Sequence, residues 1–108
     1  MAIFATNLST ADFQPNPPHD ERIHYLRRSA GSWTTLRAGM VIAQPEEGVV
    51  GDGAGDDTVF VVEGVAEVRT ADGEEVTLRA GDFVSFPRGT PQVWDIKETF
   101  RAVFVYAE

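Results

Sequence analysis

The chain has 108 residues, with 17 acidic and 9 basic side chains and a formal net charge of −8. That length fits one domain with a modest core, and a hydrophobic content of 43% excludes intrinsic disorder as the default. The acid excess argues against nucleic acid and anionic membrane as partners, no apolar run is long enough to span a bilayer, and the absence of cysteine removes disulfides, thiolate catalysis and zinc–thiolate sites.

Residues 1–10 carry neither a basic segment nor a long apolar one, so no secretory leader is expected and a cytoplasmic, reducing location is favoured. Residues 1–30 read as an N-terminal arm, proline-rich at Pro15, Pro17 and Pro18, and residues 31–108 as the folded domain. Between residues 23 and 43 short apolar stretches are broken by Gly31 and Gly39, and the glycine- and aspartate-rich segment 46–57 reads as a loop.

From there on the chain is dense in β-branched and aromatic residues with turn chemistry at short intervals. Strands are expected over residues 58–63, 65–70, 76–79, 83–86, 92–97 and 100–107. Asp72-Gly73 supplies the hairpin signal, because a two-residue turn of this type needs positive φ. Ala80-Gly81-Asp82 and Pro87-Arg88-Gly89 mark two more turns. No helical period runs through this half, so the expected fold is all-β, a small antiparallel barrel or sandwich.

Two strands are apolar on both faces. Val59 and Val61 alternate with Phe60 and Val62, and Phe100, Ala102, Phe104 and Tyr106 alternate with Arg101, Val103 and Val105. A half-exposed strand would alternate with polar residues. One face therefore belongs to a barrel interior, and the other needs a cover, either the arm or a second subunit. A homodimer is the expected state.

The segment Gly81 to Gln92, with glycine, five residues, proline, one residue and glycine, then two residues before Gln92, resembles the second motif of the cupins. Asp57, seven residues before Gly64, stands where the first cupin motif places an inward acid. Over residues 31–106, and with Trp94 five residues after Gly89, the chain is similar to the small cupins related to ureidoglycine aminohydrolase and to the ethanolamine-utilisation cupin. The resemblance implies a cupin-type antiparallel β-barrel, a double-stranded β-helix or jelly roll, with an N-terminal arm. It also implies a site inside the barrel mouth. The first-motif histidine positions fall within residues 50–53, where there is no histidine, and the second-motif histidine is Gln92. Imidazole being absent there, no metal site is expected; the alternative is a divalent ion weakly held by Asp57 and Gln92.

The candidate ligand-binding residues are Asp57 and Gln92 as polar contacts, and Trp94 and Tyr106 as apolar walls. Trp33 is a further aromatic candidate, weighed against an ordinary place in the core. His19 and His24 lie outside the motifs and read as surface or packing residues, Asp52 and Asp56 as solvated loop residues, and Arg88 as a rim residue. No Ser/His/Asp triad and no phosphate loop is present. The leading reading is a cupin with a degenerate metal site that binds a small polar metabolite. The alternatives are a metal-dependent enzyme acting on a small nitrogenous or carboxylate metabolite, as in ureidoglycine aminohydrolase, and a structural or interaction protein working through the cupin dimer surface.

Overall fold

A computed structural model describes residues 3–30 and 35–108. These form eight strands and no helix: β1 (Gln14–Pro15), β2 (Glu21–Ala30), β3 (Thr35–Ala43), β4 (Glu46–Gly51), β5 (Asp56–Thr70), β6 (Glu75–Arg79), β7 (Phe83–Phe86) and β8 (Gln92–Ala107). The strands are joined antiparallel in the order β1-β2-β3-β8-β5-β6, with β4 beside β8 and β7 beside β5. No described helix is long and apolar enough to cross a membrane.

The folding over of this sheet into a jelly roll is set by two long strands. β5 pairs with β7 through its first residues and with β6 through its last. β8 pairs with β4 near its start and with β3 near its end. Where β5 and β8 run side by side, the register slips between Val61 and Ala66, next to Gly64, which has φ +95°. An added residue in one strand of an antiparallel pair bends it and strengthens its twist. The bend carries each strand from one half of the barrel to the other. Two pairs of expected strands, 58–63 with 65–70 and 92–97 with 100–107, are thus each one continuous strand. Gly64 and residues 98–99 read as breaks because a bulge uses the same residue types as a turn.

The segment expected as a loop, 46–57, contains β4, whose Val49, Val50 and Gly51 pair with Trp94, Val93 and Gln92. The order of β4 comes from a partner more than forty residues away rather than from local pattern. Within the expected arm 1–30, β2 pairs along β3 from Glu21 to Ala30, with a register slip between Tyr25 and Arg27.

Val61, Ala66, Val68, Leu78, Phe86, Ile96, Phe100 and Ala102 form the buried core between the two halves. The faces alternate as the pattern requires: Val59 and Val61 are buried, whereas Phe60 and Val62 remain 43% and 37% exposed. On β3 the residues facing away from this core, Met40 and Ile42, are buried as well. Beside Met40 in the register stands His24, on which the arm converges. Thr6 Oγ1 lies 3.1 Å from its Nε2, the Asp12 carbonyl 3.0 Å from its Nδ1, and the Phe13 ring 6.0 Å from its own. The arm thus packs on β2, and not on the strands 58–63 and 100–107 whose two-sided pattern called for a cover. The outer face of β5, β7 and β8 is left open, with Phe83 at 74% exposure and Val103 and Val105 at 40% and 45%.

Candidate functional site

The interior of the barrel is not filled by the core. A cavity of about 280 Å³ opens beside it, and all four candidate residues line it. They reach it from two strands. Tyr106 pairs with Arg37 on β3 and with Asp57 on β5, so Arg37, Tyr106 and Asp57 stand in one row across the inner face. Gln92 and Trp94 enter from the other end of β8, where period-two alternation puts them on one face.

In the first row the Tyr106 hydroxyl donates to Glu108 Oε2 at 2.7 Å, Arg37 Nη2 lies 3.5 Å from the same oxygen, and the guanidinium carbon sits 4.9 Å from the Tyr106 ring centroid. The bond to Glu108, with burial second, pushes the Tyr106 phenol up to about 12. Asp57 has no hydrogen-bonding or ionic partner among the described residues. Burial pushes its carboxyl above the usual aspartate range.

At the other end, Gln92 is a buried polar residue at 4% exposure. Both ends of its amide are engaged: Nε2 donates to the Thr90 carbonyl, and Oε1 accepts from Trp94 Nε1 at 3.3 Å. The Trp94 ring, thus oriented, meets Phe86 and Phe100 edge-on at 5.7 and 6.0 Å between centroids. Gly51 faces Gln92 across β4 and β8, and a β-carbon there would overlap Gln92 Oε1. The glycine admits the amide. Gln92, expected as a polar contact for a ligand, lines the cavity and also holds the Trp94 indole N–H.

Among the wall residues that escaped the sequence reading are His19, Glu46 and Arg37. His19, expected on the surface or in packing, lines the cavity, with Nδ1 3.0 Å from Glu46 Oε2, while the Asp20 N–H donates to Glu46 Oε1 at 3.0 Å. The His19 hydrogen bond, followed by that of Asp20, holds the Glu46 carboxyl below its ordinary range. Together they clip the arm to the start of β4. Arg37 is the third. No spacing rule joins residues 19, 37 and 46, which only the sheet brings to one cavity. Asp52 and Asp56 behave as loop ties, accepting from the N–H groups of Ala54 and Arg88 at 2.9 and 2.8 Å. Trp33 lies outside the described residues.

The donor set does not fit a resident divalent ion. Where metal-binding cupins place imidazoles, residues 50–53 offer Val50, Gly51, Asp52 and Gly53. Gln92 Oε1 already accepts one hydrogen bond from Trp94, and Asp57 brings a single carboxylate. Among the described residues no cluster of three or more histidine, cysteine, aspartate or glutamate residues is placed to hold a metal.

The architecture is shared with solved structures. An RmlC-like cupin from Shewanella frigidimarina NCIMB 400 superimposes with a TM-score of 0.76 at 17% identity, over 98% of this chain and 91% of its own. A Salmonella typhimurium LT2 protein assigned to ethanolamine utilisation, EutQ, gives 0.76 at 21% identity, over 93% and 81%. KdgF from Halomonas gives 0.73 at 20% identity, over 94% and 91%. At these identities the likeness is one of fold. No curated protein matches the chain. The family model of the EutQ-like cupin domain matches residues 34–104. Of the two branches the motifs resemble, it is thus the ethanolamine-utilisation one that the match supports. With that match over more than half its length, the chain belongs to the EutQ-like cupin domain family.

Proposed function

We propose that the protein binds a small polar molecule in the barrel cavity. The observation that carries this reading is Asp57, a half-buried carboxylate on the cavity wall with no partner among the described residues. Desolvating a carboxylate without pairing it is costly, so folding alone gives no reason to hold one there. A bound ligand does. The aromatic wall of Trp94 and Tyr106 beside a polar point is the usual composition of a small-molecule pocket. A purely structural role would be better served by a filled barrel.

The test is a pair of variants, Asp57→Ala and Asp57→Asn, melted and screened against a metabolite library beside the parent protein. Both are expected to fold, to be neutral or slightly more stable at neutral pH, and to lose the ligands the parent binds. The pH dependence has a definite sign. A carboxyl whose folded pKa lies above its unfolded one binds more protons in the native state, so its penalty is present at neutral pH and fades as pH falls through the raised value. The stability gap between the parent and Asp57→Asn should therefore close on acidification. A loss of several kcal/mol in Asp57→Ala would make the residue a structural partner and remove the basis of the reading.

The same donor set leads us to propose that no divalent ion contributes to folding. Incubation with a chelator is expected to leave the melting temperature unchanged, unlike a structural metal site. A marked drop would restore the metal-dependent reading.

We also propose a homodimer formed through the open outer face, where Phe60 and Phe83 meet edge-on at 6.1 Å and Val103 lies beside Phe60 in the register. A specific interface buries on the order of 1,200 Å² or more. Light scattering should report twice the chain mass at micromolar concentration, and Phe60→Asp should give the monomer. A monomeric parent protein would overturn the assignment.

A further inference from the structure

We infer that the cavity takes a small organic ammonium ion, its charged nitrogen on the Asp57 carboxylate and its hydrocarbon part against Trp94 and Phe104. The inference rests on the reading of the cavity as a ligand site and adds the chemical class. It follows from how the charges of the wall are already matched. Two basic side chains line the cavity, and each is held by a carboxylate: Arg37 by Glu108 and His19 by Glu46. An anionic ligand would have to break one of these pairs and then face Asp57. Of the acids on the wall, Glu46 is held by His19 and the Asp20 N–H, Glu21 accepts from Asn16 Nδ2 at 2.7 Å, and Asp20 is exposed to water. Asp57 alone among them is half-buried without a partner among the described residues.

The neighbours of Asp57 cannot supply one. Across the strands it stands between Phe86 and Tyr106, and along its own strand the next inward residue is Val59. Tyr106 has the only hydroxyl of the three, and it donates to Glu108. A divalent ion needs several further oxygen ligands, and the residues across from and beside Asp57, Phe86, Tyr106 and Val59, offer a single phenol. A neutral hydroxyl would donate a hydrogen bond but leave the charge uncompensated. An ammonium group brings both, in a charge-assisted bond, and gains from aromatic faces such as those of Trp94 and Tyr106. The cavity, at about 280 Å³, lies at the small end of the range for ligand sites, which limits the guest to a compact amine. The net charge of −8 would also draw cations toward the mouth.

The test uses three probes of one shape on the whole protein: benzylamine, benzyl alcohol and benzoate. Each is titrated while the Trp94 indole N–H resonance, assigned through Trp94→Phe, is followed by NMR. Benzylamine is expected to bind at least about tenfold more tightly than the other two, and Asp57→Asn to remove that preference. The amide spectrum of Asp57→Asn serves as the check that it folds. If benzyl alcohol or benzoate binds as well as benzylamine, or if the preference survives in Asp57→Asn, the ammonium assignment is overturned while the cavity remains a ligand site. If no probe moves any cavity resonance at millimolar concentration, the assignment falls together with the reading it rests on.

Discussion

Gly64→Ala is expected to cost about 3 kcal/mol or more of folding stability, enough to threaten the native state of a domain this small. Two effects combine. At φ +95° a β-carbon is held in the left-handed region, at about 1–2 kcal/mol. That β-carbon would also overlap the Thr99 carbonyl oxygen and stand 2.8 Å from Phe100 Cα, both backbone atoms of the neighbouring strand that cannot rotate away. Gly73 separates the two contributions. It has φ +92° in the hairpin turn between β5 and β6, but a β-carbon there would meet nothing within 4 Å. Gly73→Ala should therefore show the conformational cost alone. Denaturant unfolding of both variants gives the comparison, and equal losses would mean that the close approach of β5 and β8 at Gly64 yields easily.

Gln92→Ala is expected to cost about 1–3 kcal/mol and to weaken ligand binding at the same time. The substitution strips the Thr90 carbonyl and the Trp94 indole N–H of their partners in a part-buried setting. It also frees Trp94 to turn from its packing on Phe86 and Phe100. Gly51→Ala is the matching experiment from the opposite strand, because its β-carbon would displace the same amide oxygen. Both variants should shift the Trp94 indole resonance and broaden it. If Gln92→Ala abolished binding with stability and the Trp94 signal unchanged, the amide would be a direct ligand contact and not a clamp.

The legible parts of the fold were those whose cause is local. Asp72-Gly73, Gly81 and Pro87-x-Gly89 mark turns because each places a residue with unusual backbone freedom or rigidity beside a strand, and the strands between them follow closely. The alternation of Val59 and Val61 with Phe60 and Val62 revealed a two-sided strand directly. β4 was not legible: Glu46, Glu47, Gly48 and Gly51 are poor strand formers, and the pairing of Val49 and Val50 with β8 overrides them. The polar segment Arg27-Arg28 similarly hid β2. At the site, the motif positions of Asp57 and Gln92 and the face shared with Trp94 led to the cavity wall. The engagement of the Gln92 amide by Thr90 and Trp94 depends on rotamers, and the clip between His19 and Glu46 depends on a contact across 27 positions, neither of which has a signature in spacing.

The long shared strands at the centre of the barrel also set a timescale. Besides the turns around Gly73 and Gly81, the β1–β2 and β2–β3 pairings bring together residues close in sequence, such as Ala30 with Thr35. β8 closes against β3, β4 and β5, and its pairs, such as Arg37 with Tyr106 and Gly51 with Gln92, join positions about 20 to 70 residues apart. The loop-closure entropy of these pairs is incurred before most of their contacts can form. Folding should thus resemble that of other non-local β proteins, in milliseconds to seconds rather than microseconds. Until β8 docks, the long edges of β3 and β5 lie open to pairing with other chains, so the hazard of aggregation falls in the interval before the cavity exists.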